Sequence, residues 1–426
     1  MKTSCLSIEY FSTHQEREAA FAARVNGMLP QRLAGPESFW KDFNRLVQRP
    51  GKIRLPVTHI PADPRQCLAF SSARQVLWAA GLTCTGPETA TARTIGRAAD
   101  MFGLEPVLDQ PIRSLSGGEA AKTALAKAWM ALPGKRPLVM ASPSGWLSAS
   151  NAGLLKKLVD HYTARQVPVS ILAMEGEDDS GPMEPATAGK IPKSSLFLNL
   201  ECRRLEISLG RAVNTLAGAN VFGRVKDTCC HLASPCLITG DNGQGKSLLA
   251  KAICGALPFR GRLKTASRNR SGPGRLIFQD VVAQAMMRDP SQILKSVNSA
   301  RQTEAASLCR RLQQTWRALA SRSGSAPPAR ADRLLRIKLA LAAVRLAARP
   351  AVLILDEPDW GLSRRAAEAF VLAVIERAHA LDVPVILISH KSWWNSLSRS
   401  RIRVVKSPSS GGQDCRFTIG LKMEGC

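Results

Sequence analysis

This chain is short of acidic residues, of aromatic rings and of long apolar runs, and each shortage excludes something. No apolar run approaches the roughly 18–20 residues that a membrane-crossing helix needs, so a soluble globular protein is expected. The N-terminal stretch MKTSCLSIEYFSTHQEREAAF lacks an apolar core followed by a small-residue cleavage site, which predicts no secretory signal. Cys229, Cys230 and Cys236 do not have zinc-site spacing. The eleven cysteines, an odd number, fit cytoplasmic thiols better than disulfides, and these three are expected to be buried as small hydrophobes.

The acid shortage leaves 33 Asp and Glu against 59 Lys and Arg, a net charge of +26. Residues 260–349 hold 19 of the cations and only four acids, Asp280, Asp289, Glu304 and Asp332. Such a stretch is either a surface for nucleic acid, ribosome or anionic headgroups, or the solvated helix faces of an arginine-rich chain. Trp316 is nearly alone among aromatics there, which argues against a base-stacking platform in that region.

What is present builds cores: 45% hydrophobic and 22% charged residues, over a length that suits two or three domains. The stretch EGEDDSGPMEPATAGKIPKSS at 175–195 reads as a linker, which sets domains at 1–176 and 194–426 around residues 177–193. The two halves repeat. PLVMASPSGWLS lies over AVLILDEPDWGLS, and each half ends on a Val-Pro-Val entry to an apolar strand, QVPVSILAM and DVPVILISH. Each half also opens on a β-like run, CLSIEYF and SSLFLNLECRRLEISLG. Strands alternating with helices predict an α/β fold with a mainly parallel sheet in each half.

The second half carries the chemistry. Gly240-Asp241-Asn242-Gly243-Gln244-Gly245-Lys246-Ser247, between the apolar CLIT and the helical SLLAKAICG, is a phosphate loop opening a helix at Ser247 and Leu248. Its glycines let backbone N–H groups converge on an anion at a helix N-terminus. Lys246 would reach the β- and γ-phosphates of a nucleotide, and the Ser247 hydroxyl would ligate Mg²⁺. Asp356 and Glu357 end an apolar strand, where Asp356 would hold Mg²⁺ and Glu357 would orient the attacking water. His390 ends another strand, within reach of a γ-phosphate. Gln279 in RLIFQD is suited to sensing the metal and the water.

A phosphate loop, a Gln loop, Asp-Glu-Pro, a GLS segment and a strand-terminal His resemble the ATP-binding-cassette (ABC) ATPases, and LSGGE at 115–119 resembles that family's signature. The resemblance spans both halves and implies two fused cassettes, each with a helical subdomain. In that family ATP lies between the phosphate loop of one cassette and the signature of the other. Ser116, Gly117 and Gly118 would then serve the ATP held by Lys246, through intramolecular pairing.

The first half departs from the pattern. Its best phosphate-loop frame, Gly35 to Asp42, has Trp40 for the last glycine and Asp42 for the hydroxyl. Ala62 takes the Gln place, Ala141-Ser142 the Asp-Glu place, and Met174 or Glu175 the His place, while Tyr10 is placed to stack on adenine. The second half lacks a signature, with Asp332 in PARADRLLRIK near the position of Ser116. One competent composite site is therefore expected. The family implies a cytoplasmic ATPase, peripheral on the inner face of the membrane, energising separate transmembrane permease subunits. PADPRQCLAF and FGLEPVLDQPIRSLSGGE resemble the energy-coupling-factor and cobalt-type importer ATPases. The alternative is a soluble ABC machine acting on ribosome or nucleic acid.

Overall fold

Two units divide the chain, Met1–Asp178 and Asp179–Cys426. A computed structural model describes residues 6–11, 14–27, 57–61, 63–68, 70–85, 92–112, 115, 117–143, 147, 151–174, 196–211, 220–241, 243–267, 270–279, 281–286, 288–321, 333–408 and 415–424.

The first unit runs β1 (Leu6–Phe11), α1 (His14–Gly27), β2 (Thr58–Ile60), α2 (Ala73–Thr85), α3 (Ala92–Phe102), α4 (Gly117–Ala131), β3 (Leu138–Ala141), α5 (Ala152–Ala164) and β4 (Val169–Met174). Its four described strands lie in the order β1-β4-β3-β2, all parallel. The whole of β2 and β3 is buried, which is why LVMA reads as an unbroken apolar run rather than an alternation. Phe21 and Val25 of α1 pack on Val139, Ala141 and Leu172 of the sheet. The alanines of α4, among them Ala120, Ala124 and Ala128, are fully buried.

The second unit continues with β5 (Leu196–Arg211), β6 (Asn220–Val225), β7 (Thr228–Ser234), β8 (Cys236–Thr239), α6 (Lys246–Ile253), β9 (Phe259–Ser267), β10 (Arg270–Ser271) and β11 (Arg275–Ile277). Then come α7 (Val281–Gln284), α8 (Pro290–Lys295), α9 (Ser299–Ser321), α10 (Arg333–Ala347), β12 (Leu353–Asp356), α11 (Arg364–Ala380), β13 (Val385–Ile388), β14 (Ser400–Pro408) and β15 (Cys415–Glu424). One sheet runs β10-β9-β5-β6-β15-β14-β8-β13-β12-β11, with β7 set against β5. From β14 to β11 neighbouring strands are parallel. Around β5, strands β6, β7 and β9 pair antiparallel.

Both units share the strand order of the parallel segment, so β1-β4-β3-β2 corresponds to β8-β13-β12-β11. This corrects one sequence expectation. The strand CLSIEYF corresponds to CLIT of the phosphate loop and not to the opening strand of the second half. Only Ser12 and Thr13 lie between β1 and α1, whereas Gly240–Gly245 lie between β8 and α6. The first unit therefore has no room for a phosphate loop where its sheet would place one. Tyr10 belongs to that strand, so it does not occupy the place of an adenine-stacking residue ahead of a loop. The segment Gly35–Asp42 itself lies outside the described residues, as do Ala62, Glu175, Asp332 and the linker 177–193.

The cysteine expectation also needs amending. Cys230 and Cys236 are buried, but Cys229 is exposed, because neighbouring residues of β7 point to opposite faces. Trp316 is a core residue of α9, only 2% exposed. Among the described residues no helix is long and apolar enough to cross a membrane.

His59 on β2 is buried, and that burial, with the Lys127 charge adding to it, holds its imidazole down to about 3. The unfolded chain binds this proton near 6.5, so acid favours the unfolded state. The first unit should lose about 1.4 kcal/mol of stability per pH unit as pH falls below 6.5. Urea unfolding from pH 7 to pH 5 would measure it. His59→Gln should flatten that dependence, and an unchanged slope would assign it to other groups.

Candidate nucleotide site

The loop after β8 is built around backbone conformations that side chains resist. Gly240 has φ +138°, and a Cβ there would stand 2.6 Å from the Val404 carbonyl oxygen. Gly245, at φ +97°, caps α6. Lys246 opens the helix and is buried, and its Nζ donates to the carbonyl oxygens of Gly240 (2.7 Å) and Asp241 (3.1 Å). The ammonium thus closes the loop on itself from inside. The Gln244 side chain also accepts a bond from the Lys406 amide of β14, tying the loop to the next strand. Leu248 is half-buried against the core beneath the sheet. Asn242 lies outside the described residues.

Parallel strands deliver the acids and the imidazole to the same sheet edge as the loop. Asp356 ends β12 opposite Ile388, and His390 follows two residues beyond β13. Glu357 turns off the strand at φ +46°, its amide donating to the Ile388 carbonyl at 2.8 Å. One Glu357 oxygen meets His390 Nδ1 at 3.0 Å, and the other accepts from the Ser389 hydroxyl at 3.0 Å. Gln279 sits two residues past β11, half-buried at this edge.

Two neighbouring carboxylates in one buried place cannot share the same electrostatics. Burial first, then the adjacent Glu357 charge, pushes Asp356 up to about 6, against the opposing pull of a Ser247 hydrogen bond, Lys246 and Lys251. Burial works against ionising Glu357 as well, but the charge and hydrogen bond of His390, with Lys246 and Ser389, hold it well below the usual carboxylate range. Two buried polar atoms have no hydrogen-bond partner here, Asp356 Oδ1 and His390 Nε2. An orphaned carboxylate oxygen beside a serine hydroxyl is the donor set that a hard divalent cation takes, so the residues fit Mg²⁺. Among the described residues no cluster of three or more His, Cys, Asp or Glu forms a protein-only metal cage.

The first unit repeats the backbone and replaces the chemistry. Ser142 takes the place of Glu357, with φ +45° and its amide donating to Leu172 at 2.8 Å. Ala141 takes the place of Asp356, and the register assigns the His390 position to Met174. Arg17 of α1, fully buried, donates to the Ser142 hydroxyl and to Glu18 at 3.0 Å. A cation of the chain itself therefore sits against the spot where the second unit keeps its acid. Gly117 and Gly118 open α4, and Ser116 before them lies outside the described residues.

Of three supporting residues, two escaped the sequence reading. Gln284 clamps the Gln279 segment, accepting from the Phe278 amide (3.0 Å) and donating to the Leu276 carbonyl (2.8 Å). Lys338 of α10, buried to 1% exposure, donates to the carbonyls of Pro358 (2.6 Å) and Trp360 (2.9 Å), holding the turn after Glu357. Ser363 accepts from the Ala366 amide as the cap of α11. Only the GLS serine was visible in the sequence, since clamps between distant segments leave no local signal.

No family model and no curated protein sequence matches the chain. Solved structures do. A ribosome-bound archaeal Pelota and ABCE1 structure aligns with 98% of this chain and 74% of that one at 13% identity, with a TM-score of 0.55. An RNase-L inhibitor aligns over 98% and 85% at 13% identity (TM-score 0.48), and UvrA2 from Deinococcus radiodurans over 79% and 58% at 14% (TM-score 0.43). The chain has the fold of an ABC ATPase with two fused cassettes.

Gly240→Ala should lower the unfolding free energy of the second unit by roughly 2–4 kcal/mol through strain and the carbonyl contact, checked by denaturant titration. Arg17→Met should destabilise the first unit by roughly 1–3 kcal/mol without letting it bind nucleotide. Nucleotide bound by that variant's first unit would show that Arg17 alone had kept the place closed.

Proposed function

We propose that this chain binds and hydrolyses ATP at one composite site, made by the phosphate loop of the second unit and the LSGGE signature of the first. The observation that carries this reading is the constellation of Lys246, Ser247, Asp356, Glu357 and His390, all at one sheet edge, with no equivalent set among the described residues of the first unit. Lys246 exchanges its loop carbonyls for the β- and γ-phosphates, and the amides around Gly240, Asn242, Gly243 and Gly245 cradle them. Bound Mg²⁺, held by Ser247, Asp356 and Gln279, would neutralise phosphate charge. Glu357 stays ionised beside His390 and accepts a proton from the attacking water, while Ser389 fixes its second oxygen. His390 Nε2, unpartnered in the free protein, is left to meet the γ-phosphate. Ser116, Gly117 and Gly118 close the site from the other cassette.

The work coupled to this cycle is, in our reading, done on a ribosome or nucleic acid. The net charge of +26 supports it, and the similar archaeal ABCE1 is described as ribosome-bound. A second reading keeps the chain as the energising subunit of a transporter with separate permeases. It is favoured by Met286, exposed to 67% at φ +49° just beyond Gln279, where an apolar partner segment could dock.

Glu357→Gln should abolish turnover and retain one ATP per chain, counted after gel filtration. Adding Ser116→Arg should loosen that ATP. Two retained ATP per chain, or one indifferent to Ser116, would overturn the single composite site.

A further inference from the structure

The basic stretch 260–349 does not stay together in the fold. Part of it goes to helices α8 to α10, where Arg333 pairs with Asp289 and Arg349 with Glu304. Another part, Arg260, Arg262 and Lys264, goes to β9, where it joins cations from other strands on the outward face of the antiparallel sheet.

Register decides which side chains share that face. Lys264, Arg262 and Arg260 of β9 lie opposite Glu201, Arg203 and Glu206 of β5, and Glu206 lies opposite Arg224 of β6. All these cations are exposed, while the alternating Leu200, Cys202, Leu205 and Ile207 point into the core. The face stays continuous through a bulge between Arg203 and Glu206, which puts Arg204 at φ +48°. Opposite it Gly261 has φ +90°, and a Cβ there would stand 2.1 Å from the Arg204 carbonyl oxygen. Further along, Arg403 of β14 lies opposite Lys422 of β15, both exposed. Glu201 is shared by Arg203 (2.8 Å) and Arg262 (3.6 Å) and Glu206 is held by Arg224 (2.8 Å), so two acids face the five cations of β5, β6 and β9 and the face keeps an excess of positive charge.

At one end of the same face, Phe197 and His231 stack at 4.6 Å between centroids with 13° between planes. Phe197 is 43% exposed, and His231 is held by the Asn199 side chain at 2.6 Å. Neither ring belongs to the basic stretch; strand pairing carries them to it. Rows of cations about 5 Å apart across strands and about 7 Å apart along them, ending on exposed rings, suit a sugar-phosphate chain with unstacked bases. Unstacked bases that can lie on exposed rings are offered by single-stranded RNA loops, bulges and ends rather than by a duplex, whose bases stay stacked.

We propose that this sheet face binds single-stranded RNA, with Arg203, Arg262 and Lys264 on phosphates and Phe197 under a base. The proposal rests on the nucleic-acid reading above and names its surface. The test is fluorescence anisotropy of a labelled oligouridine with the full chain, across a salt series. Joint replacement Arg203→Gln, Arg262→Gln and Lys264→Gln should weaken binding about 30-fold and reduce the salt slope by about two. Phe197→Ala should weaken it about tenfold without changing the slope. Replacing Arg310, Arg311 and Arg317 of α9 by Gln, the same loss of charge elsewhere, should change little. Unaltered ATP turnover and melting temperature would establish that the variants fold, and ultraviolet crosslinking of the unmutated chain should map to β5, β7 or β9 peptides. RNA binding that responds to the α9 variant and not to the sheet variants would sink this surface while leaving the nucleic-acid reading standing. Absence of RNA binding would overturn both. Tighter binding to duplex RNA, to single-stranded DNA or to phosphatidylglycerol vesicles would also overturn the assignment.

Discussion

A buried knot of charge at the carboxyl ends of parallel strands governs the second unit. Lys246, Asp356 and Glu357 are each under a tenth exposed, and no strand end would keep two neighbouring acids there without compensation. The loop carbonyls hold the cation, and His390 and Ser389 hold Glu357. What remains unsatisfied is one oxygen of Asp356 and one nitrogen of His390. The loop glycines, in conformations that other residues resist, and Glu357, strained at φ +46°, lie at this same edge. Strain and unpaired polar atoms collect where a ligand would relieve them.

The first unit shows how much of this arrangement belongs to the fold and how much to the chemistry. Its backbone repeats the kink at Ser142 with nearly the same φ and the same amide bond to the neighbouring strand. With Ala141 and Ser142 in place of the acids, the need for a compensating cation disappears. Arg17 comes in from α1 all the same, and its partners are a hydroxyl and Glu18. A shortened β1–α1 connection and an internal arginine take the place of the loop and the acids in this unit.

The antiparallel part of the second unit has a different logic. Its inner face supplies Leu198, Leu200, Leu205 and Ile207 to the same core that supports α6 beneath the phosphate loop. Its outer face is free to carry charge, because alternation separates the two sets of side chains completely. The bulge at Arg204 and the glycine opposite keep that separation intact over a strand of 16 residues.

The phosphate loop, the Asp-Glu strand end, the terminal histidine and the alternation of strands and helices were legible because each is a local pattern, set by residues adjacent in the chain. The internal repeat carried the two similar α/β halves as well, and the motifs' resemblance to a known family made them cassettes. The strand correspondence of the first half was misread for the opposite reason. A frame of spaced residues at Gly35–Asp42 says nothing about which strand lies beside β4, and pairing gave that place to Leu6–Phe11. Nor could the chain order reveal that Lys338 holds the turn after Glu357, or that Arg17 reaches Ser142. The sequence by itself determined what chemistry was available and in which half. Only the tertiary structure decided which charges meet, since buried ion pairs, clamps and shared sheet faces depend on strand register between residues far apart in the chain.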